Sequence, residues 1–249
     1  MPHIDLLSGT VIFVAIALGG IMKGATGAGV PVVAVPVMAA FFDVRLAVII
    51  MSVPNLLSNL WQLRTYWDDR LRGAFLWQFA LSGAGGAVAG TYVLASVPEE
   101  ALLVTVAAAV VAYIALRLLR PDFQLSRTAA GRAVVPTGFV AGTLQGMAGI
   151  SAPVSVSFLN AMRLERRTFI ASISAFFAAM SLAQVPALYA AGLLTPPLLG
   201  LSALALVPIF LFLPVGAWVA RYLSPKGFDR LVLLLLGVLA IRLIWSAVV

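Results

Sequence analysis

The chain has no cysteine, its only histidine is the third residue, and charged side chains make up just 10% of it. Without cysteine there is no disulfide, thiolate ligand or redox motif, and the compartment is left open on that count. Without an imidazole in the apolar sequence, Ser151, in the run GISA from Gly149, has no base to activate it, and a Lys23–Ser151 dyad has only composition behind it. No pair of acids lies within an apolar run, which removes aspartyl chemistry, and neither a metal-ligand cluster nor a phosphate loop ending in GK[ST] is present. The expectation is a protein that is not an enzyme and holds no cofactor or metal. With no ATP-binding module, active transport would have to draw on an ion gradient.

What is abundant is apolar sequence. Of 249 residues 62% are hydrophobic, the mean hydropathy is +1.08, and the apolar runs reach the roughly 20 residues that span a bilayer. The expected class is an all-α polytopic membrane protein whose main partner is lipid. A net charge of +7 suggests nucleic acid until positions are read: the basic residues sit in short loops between spans, as the positive-inside rule requires. No Lys or Arg precedes the apolar run Leu6 to Met22, and that run belongs to a repeat, so it is read as mature fold rather than a signal peptide.

The repeat centres on Gly19 to Met38, GGIMKGATGAGVPVVAVPVM, an apolar run interrupted by glycines around a lone lysine. At a constant offset of 122 positions, Gly20, Gly24, Gly27 and Pro31 return as Gly142, Gly146, Gly149 and Pro153. Asp43 and Arg45 align with Glu165 and Arg167, Ser52 with Ser174 and Gln62 with Gln184 at the same offset, and Gly90 and Pro98 with Gly216 and Pro225 after a small length change. The chain thus divides into two repeats, 1–122 and 123–249. Each has one broken helical element (6–42; 133–162) and three spans (45–64, 73–96, 101–120; 168–191, 196–221, 229–249).

Loop charge orients them. The loop Arg64 to Arg72 has three basic residues, the loop at Glu99 and Glu100 none, and the linker Arg117 to Arg132 four; Arg163 to Arg167 has three, Gly192 to Pro196 none, Arg221 to Arg230 three. With basic loops in the cytoplasm, corresponding loops fall on opposite sides, so the repeats are inverted. Each broken element then enters and leaves on one side. Its arms, about 12 to 17 residues, are short for spans, which favours re-entrant hairpins and puts both termini outside a bacterial-type inner membrane.

An unwound segment in hydrocarbon is tolerated only when buried in protein or lining a wet cavity. The arm after each break opens with free N–H groups and a positive dipole end, with Pro31 and Pro153 in its first turn and Ser151 as an N-cap. The candidate site is therefore Lys23, Gly24, Ala25, Thr26, Gly27 and Gly29 with Gln145, Gly146, Gly149 and Ser151, the two tips converging on one small oxyanion. Glycines there also suit close helix packing, and Lys23 either draws the anion or snorkels to an interface. Ser52, Asn55, Asn59 and Gln62 share one helix face, echoed by Ser174, Ser181 and Gln184; they serve a hydrated anion path or interhelical hydrogen bonding. Ser82, Gly86 and Gly90 form a small-residue packing stripe, and Trp61, Tyr66, Trp67 and Trp77 bracket a basic loop as interfacial rings do.

The pattern from Gly20 to Pro31, its second copy from Gly142 to Pro153, the length and the two-half layout resemble the sulfite exporter TauE/SafE family over nearly the whole chain. The second copy departs from the first at Gln145, where the first has Lys23, and at Ser151, where it has Gly29. The resemblance implies a permease for sulfite or small organosulfonate anions, coupled to protons or to the membrane potential. The expected function is export of such an anion through a central site between the repeats. Uptake or channel conduction of another small anion or neutral solute, and a noncatalytic partner subunit, remain alternatives, and the oligomeric state is open, a homo-oligomer included.

Overall fold

A computed structural model describes residues 6–26, 30–119, 124–222, 233–234, 236–241 and 245. Every regular element among them is helical: α1 (Leu6–Thr26), α2 (Val30–Phe41), α3 (Val44–Thr65), α4 (Ala74–Ser96), α5 (Glu99–Leu119), α6 (Arg127–Ala148), α7 (Ala152–Ala161), α8 (Arg166–Ala190), α9 (Pro196–Leu204) and α10 (Leu206–Tyr222). Five stretches are long and apolar enough to cross a membrane: Val44–Thr65, Ala74–Ser96, Glu99–Leu116, Arg166–Ala190 and Pro196–Val219. The fold is that of an all-helical membrane protein. The span expected at 229–249 lies largely outside the described residues, as do Gly27 and Gly29.

Both helix breaks fall where glycine and proline recur. After the first, α2 turns back along α1, with Val30 lying against Gly19. Pro31 is the second residue of α2, where no donor is required of it. The second break turns on Gly149, at φ +68°, a left-handed cap that glycine adopts without a Cβ penalty. Its N–H donates to Gln145 O at 2.9 Å, and Pro153 stands in the first turn of α7.

The arms differ from the expected lengths. The first arms, α1 and α6, have 21 and 22 residues, whereas α2 and α7 have 12 and 10. Hydropathy stops α6 short of Arg127 and Arg132, but arginine is a good helix former and the helix continues out to Ser126, whose Oγ accepts from Ala129 N at 3.2 Å. The expected span 196–221 is interrupted at Ala205. Pro208 explains it: it has no N–H for Leu204 O and its ring crowds that carbonyl.

Glycines let helix pairs approach backbone to backbone. A Cβ on Gly86 would meet Phe139 O, one on Gly90 Thr143 O and one on Gly142 Gly83 O, which joins α4 to α6. In the same manner a Cβ on Gly24 would meet Leu213 O and one on Gly216 Ile21 O, joining α1 to α10. The stripe Ser82–Gly86–Gly90 is thus a helix interface.

The two ends of the bundle are tied differently. At one end Arg45 pairs with Glu99 at 3.1 Å and donates to the carbonyls of Leu94 and Val97, while Glu99 Oε1 accepts from Val44 N at 2.7 Å. Arg45 at the start of α3 therefore caps the end of α4, and Glu99 at the start of α5 caps the start of α3. At the other end Arg167 pairs with Asp69 at 3.1 Å, Leu71 N donates to Ser172 Oγ at 3.0 Å, and Leu125 N donates to Ala161 O at 2.8 Å.

Pro54, inside α3, cannot donate to Ile50 O. The buried Ser202 of α9 takes its place: its Oγ donates to Ile50 O at 2.9 Å and accepts from Val53 N at 3.2 Å. We expect Ser202→Ala to cost about 1–3 kcal/mol, the penalty for a buried unsatisfied carbonyl. The cost should shrink in a Pro54→Ala background, where residue 54 regains its own donor; thermal unfolding of the four proteins in detergent measures both terms.

Candidate functional site

The site is built from α1 upward. Lys23, one turn before the end of α1, is 1% exposed, and its Nζ donates to Asn59 Oδ1 on α3 at 2.8 Å. No carboxylate pairs with it among the described residues. A buried ammonium costs several kcal/mol unless it is paired and hydrogen-bonded, and one neutral amide oxygen meets only part of that demand.

Lys23 orients a chain of amides along α3. Because Asn59 turns its oxygen to the ammonium, its Nδ2 faces α3 and donates to Asn55 Oδ1 at 2.8 Å and Asn55 O at 2.6 Å. Asn55 in turn donates through Nδ2 to Ser181 Oγ on α8 at 2.9 Å. The Ser181 hydroxyl, having accepted, keeps its own proton to give. One turn toward the end of α3, Gln62 Oε1 accepts from Ser174 Oγ at 2.9 Å. The polar stripe, with Ser52, is buried, and Asn55 and Gln62 meet Ser181 and Ser174 of α8. Ser58 Oγ, on the same face between Asn55 and Gln62, is the one buried side-chain polar atom among the described residues without a partner.

Above Lys23 opens a cavity of about 580 Å³. Lys23, Gly24 and Gln62 lie at its inner end, Trp61 and Tyr66 on one wall, Arg166 and Arg167 on another, and Leu213 and Ala217 of α10 close it. Trp61 is held edge-on to Phe210 at 6.0 Å. Arg167 lies over the Tyr66 ring at 5.7 Å while paired with Asp69. Arg166 Nη2 donates to Ala25 O at 3.2 Å, which covers a carbonyl at the negative end of the α1 dipole. An end that would repel an anion thereby carries two cations, Lys23 and Arg166.

The second break is neutral. Ser151 stands at the N-cap position of α7 but makes no side-chain cap, contrary to expectation: its backbone is near the helical region, φ −105°, ψ −10°, and its Oγ donates instead to Gln145 Oε1 at 3.2 Å. Ser155 Oγ donates to Ser151 O at 2.9 Å. Gln184 Nε2 approaches Gln145 O and Gly146 O at 3.4 and 3.5 Å, where α6 ends. A Cβ on Gly149 would lie 3.0 Å from Val35 Cγ2 and 3.2 Å from Val48 Cγ2.

The expected convergence on a single ion is not what the described residues form. Lys23 meets α3 at Asn59 and Gly149 approaches it at Val48, levels that at 1.5 Å per residue differ by about 16 Å. The first arms are longer than their sequence implied, and Lys23 and Gly149 meet α3 at these separate levels. Of the expected site residues, Lys23, Asn55, Asn59 and Gln62 are linked through α3, and Gln145, Gly146, Ser151 and Gln184 cluster at the second break. Ala25 enters through its carbonyl, Thr26 is the last residue of α1, and Gly24 and Gly146 lie against the backbones of α10 and α4. Arg166, Arg167, Trp61 and Tyr66 were not among them. The arginines carried a signal only as loop charge, because Ala25, the partner that brings Arg166 to the site, is 141 positions away.

Neither a curated protein nor a solved structure matches the chain. A family model described as Sulfite exporter TauE/SafE matches residues 12–243. Glycine-rich breaks at matched positions, a buried lysine and a helical membrane bundle agree with that match, and the chain belongs to the sulfite exporter TauE/SafE family.

Proposed function

We propose that this membrane transporter, a permease and not an enzyme, exports a small sulfur oxyanion, sulfite or a related organosulfonate. The observation that carries the reading is the buried Lys23, without a carboxylate partner, at the inner end of a cavity that also holds Arg166 and Arg167. The anion is the missing counter-ion. Trp61 and Tyr66 line its side. From there the amide and hydroxyl seam of α3 and α8, with the unpartnered Ser58, offers neutral donors toward the second break at Gln145 and Ser151. With the interior negative, the membrane potential favours outward movement by about 2.3 kcal/mol per charge per 100 mV.

The halves act as inverted repeats dividing near residue 122, with the Arg167 end in the cytoplasm, both termini outside and multiple crossings. Two observations support this. Arg45 binds Glu99 at one end of the bundle, and its counterpart Arg167 binds Asp69 at the other. Gly24 and Gly216 join α1 to α10 as their counterparts Gly146 and Gly90 join α6 to α4. Basic loops set the orientation.

In proteoliposomes, Lys23→Met should lower sulfite efflux tenfold or more, the scale of one lost charge-assisted hydrogen bond, and Lys23→Arg should retain part of it. Unchanged efflux from well-folded Lys23→Met protein sinks the reading; a panel with sulfate and thiosulfate reads preference. The charge of Lys23 also couples to its amide: Asn59→Leu should cost stability in the wild type and about 1–3 kcal/mol less when Lys23 is already Met, in a double-mutant cycle read by thermal unfolding. Because no native cysteine exists, Asp43→Cys and Glu165→Cys should label from opposite faces of the membrane; labelling from one face refutes the inversion.

A further inference from the structure

A second cavity, also of about 580 Å³, lies where α3 ends and is lined by Leu60, Leu63, Arg64, Trp67 and Asp68. Leu60, Leu63 and Arg64 are spaced i, i+3 and i+4 on one face of α3, Trp67 and Asp68 follow in the 3-10 turn after it, and this side looks away from the bundle: Leu60 is 41% and Trp67 45% exposed. Leu57, 42% exposed, extends the apolar strip toward the middle of α3.

The charges decide what fits. Neighbouring ones are engaged: Asp69 pairs with Arg167, and Arg70 stacks on the Trp67 ring at 3.7 Å and donates to Trp67 O at 2.6 Å. Arg64 and Asp68 bind neither each other nor another described residue. The groove thus presents one cation and one anion side by side at the end of an apolar strip, beside a tryptophan of the kind that seats at headgroup level.

We propose that this groove binds a phospholipid with a primary-amine headgroup, a phosphatidylethanolamine. The phosphate takes the Arg64 guanidinium, whose fork suits phosphate oxygens. The ammonium donates to the Asp68 carboxylate, and an acyl chain lies along Leu60 and Leu63. A phosphatidylglycerol satisfies Arg64 but leaves Asp68 beside a net negative lipid. A phosphatidylcholine carries the right charges, but its trimethylated nitrogen has no hydrogen to donate.

Thermal unfolding of the full chain in detergent, with each lipid added at equal concentration, tests it. Phosphatidylethanolamine should raise the midpoint by about 2–5 °C, as a bound ligand does, and the other two by less than half as much. Arg64→Gln should abolish the shift while Arg64→Lys keeps part of it, and Asp68→Asn should make phosphatidylethanolamine and phosphatidylglycerol equal. Equal shifts from all three lipids with the wild type, a phosphatidylglycerol preference, or a phosphatidylethanolamine shift intact in both Arg64→Gln and Asp68→Asn overturns the proposal.

Discussion

An apolar surrounding leaves no water to satisfy a stray polar group, and each feature that sets this fold apart answers that constraint. Pro54 strips Ile50 O of its helical donor, and Ser202 supplies another from α9. At the end of α1, Arg166 reaches Ala25 O from α8. The end of α6 is met by the left-handed turn at Gly149 and by Gln184. These repairs come from other helices, so the packing is dictated as much by where backbone bonds fail as by where apolar faces lie.

The two halves solve the same problem with unlike chemistry. Matched glycines make matched packing, Gly24 on α10 and Gly146 on α4, because a backbone approach needs only the absence of a Cβ. At the breaks the halves diverge: Lys23 has Gln145 as its counterpart, and the first break faces a cationic cavity while the second is closed by neutral amides and hydroxyls. Arg45 and Arg167 diverge too. Arg45 is taken up by the α4 carbonyls at one end of the bundle; Arg167, itself exposed and held by the half-buried Asp69 and Tyr66, is left lining the cavity. The duplication thus preserves the scaffold, and the asymmetry falls on the side chains at the two breaks.

Local pattern made part of this legible in the sequence. Glycine and proline at matched positions marked both breaks, since glycine adopts the left-handed turn without a Cβ penalty and proline suits the first helical turn. The 3.6-residue period placed Asn55, Asn59 and Gln62 on one buried face. What stayed hidden depends on partners far along the chain. Ser202 reads as an ordinary helix serine until Ile50 stands opposite it. Arg166 reads as a loop charge until Ala25 does. The lengths of α1 and α6 were underestimated because hydropathy reports lipid contact, whereas a helix ends where its hydrogen bonds do.

The offset has a mechanical consequence for anion passage. If both tips met at one point, their free N–H groups and Lys23 would bind an anion together, and a site that strong releases slowly. Spread along α3, the same groups form a gradient: full charge at Lys23, Arg166 and Arg167, then amides and hydroxyls at Asn55, Ser181 and Gln184. In the polarised sequence from Lys23 through Asn59 and Asn55 to Ser181 each member donates to the next, and the Ser181 hydroxyl keeps its proton. In the proposed path, capture falls to charge and transit to neutral donors, which is how a path holds an ion firmly enough to enter and loosely enough to leave.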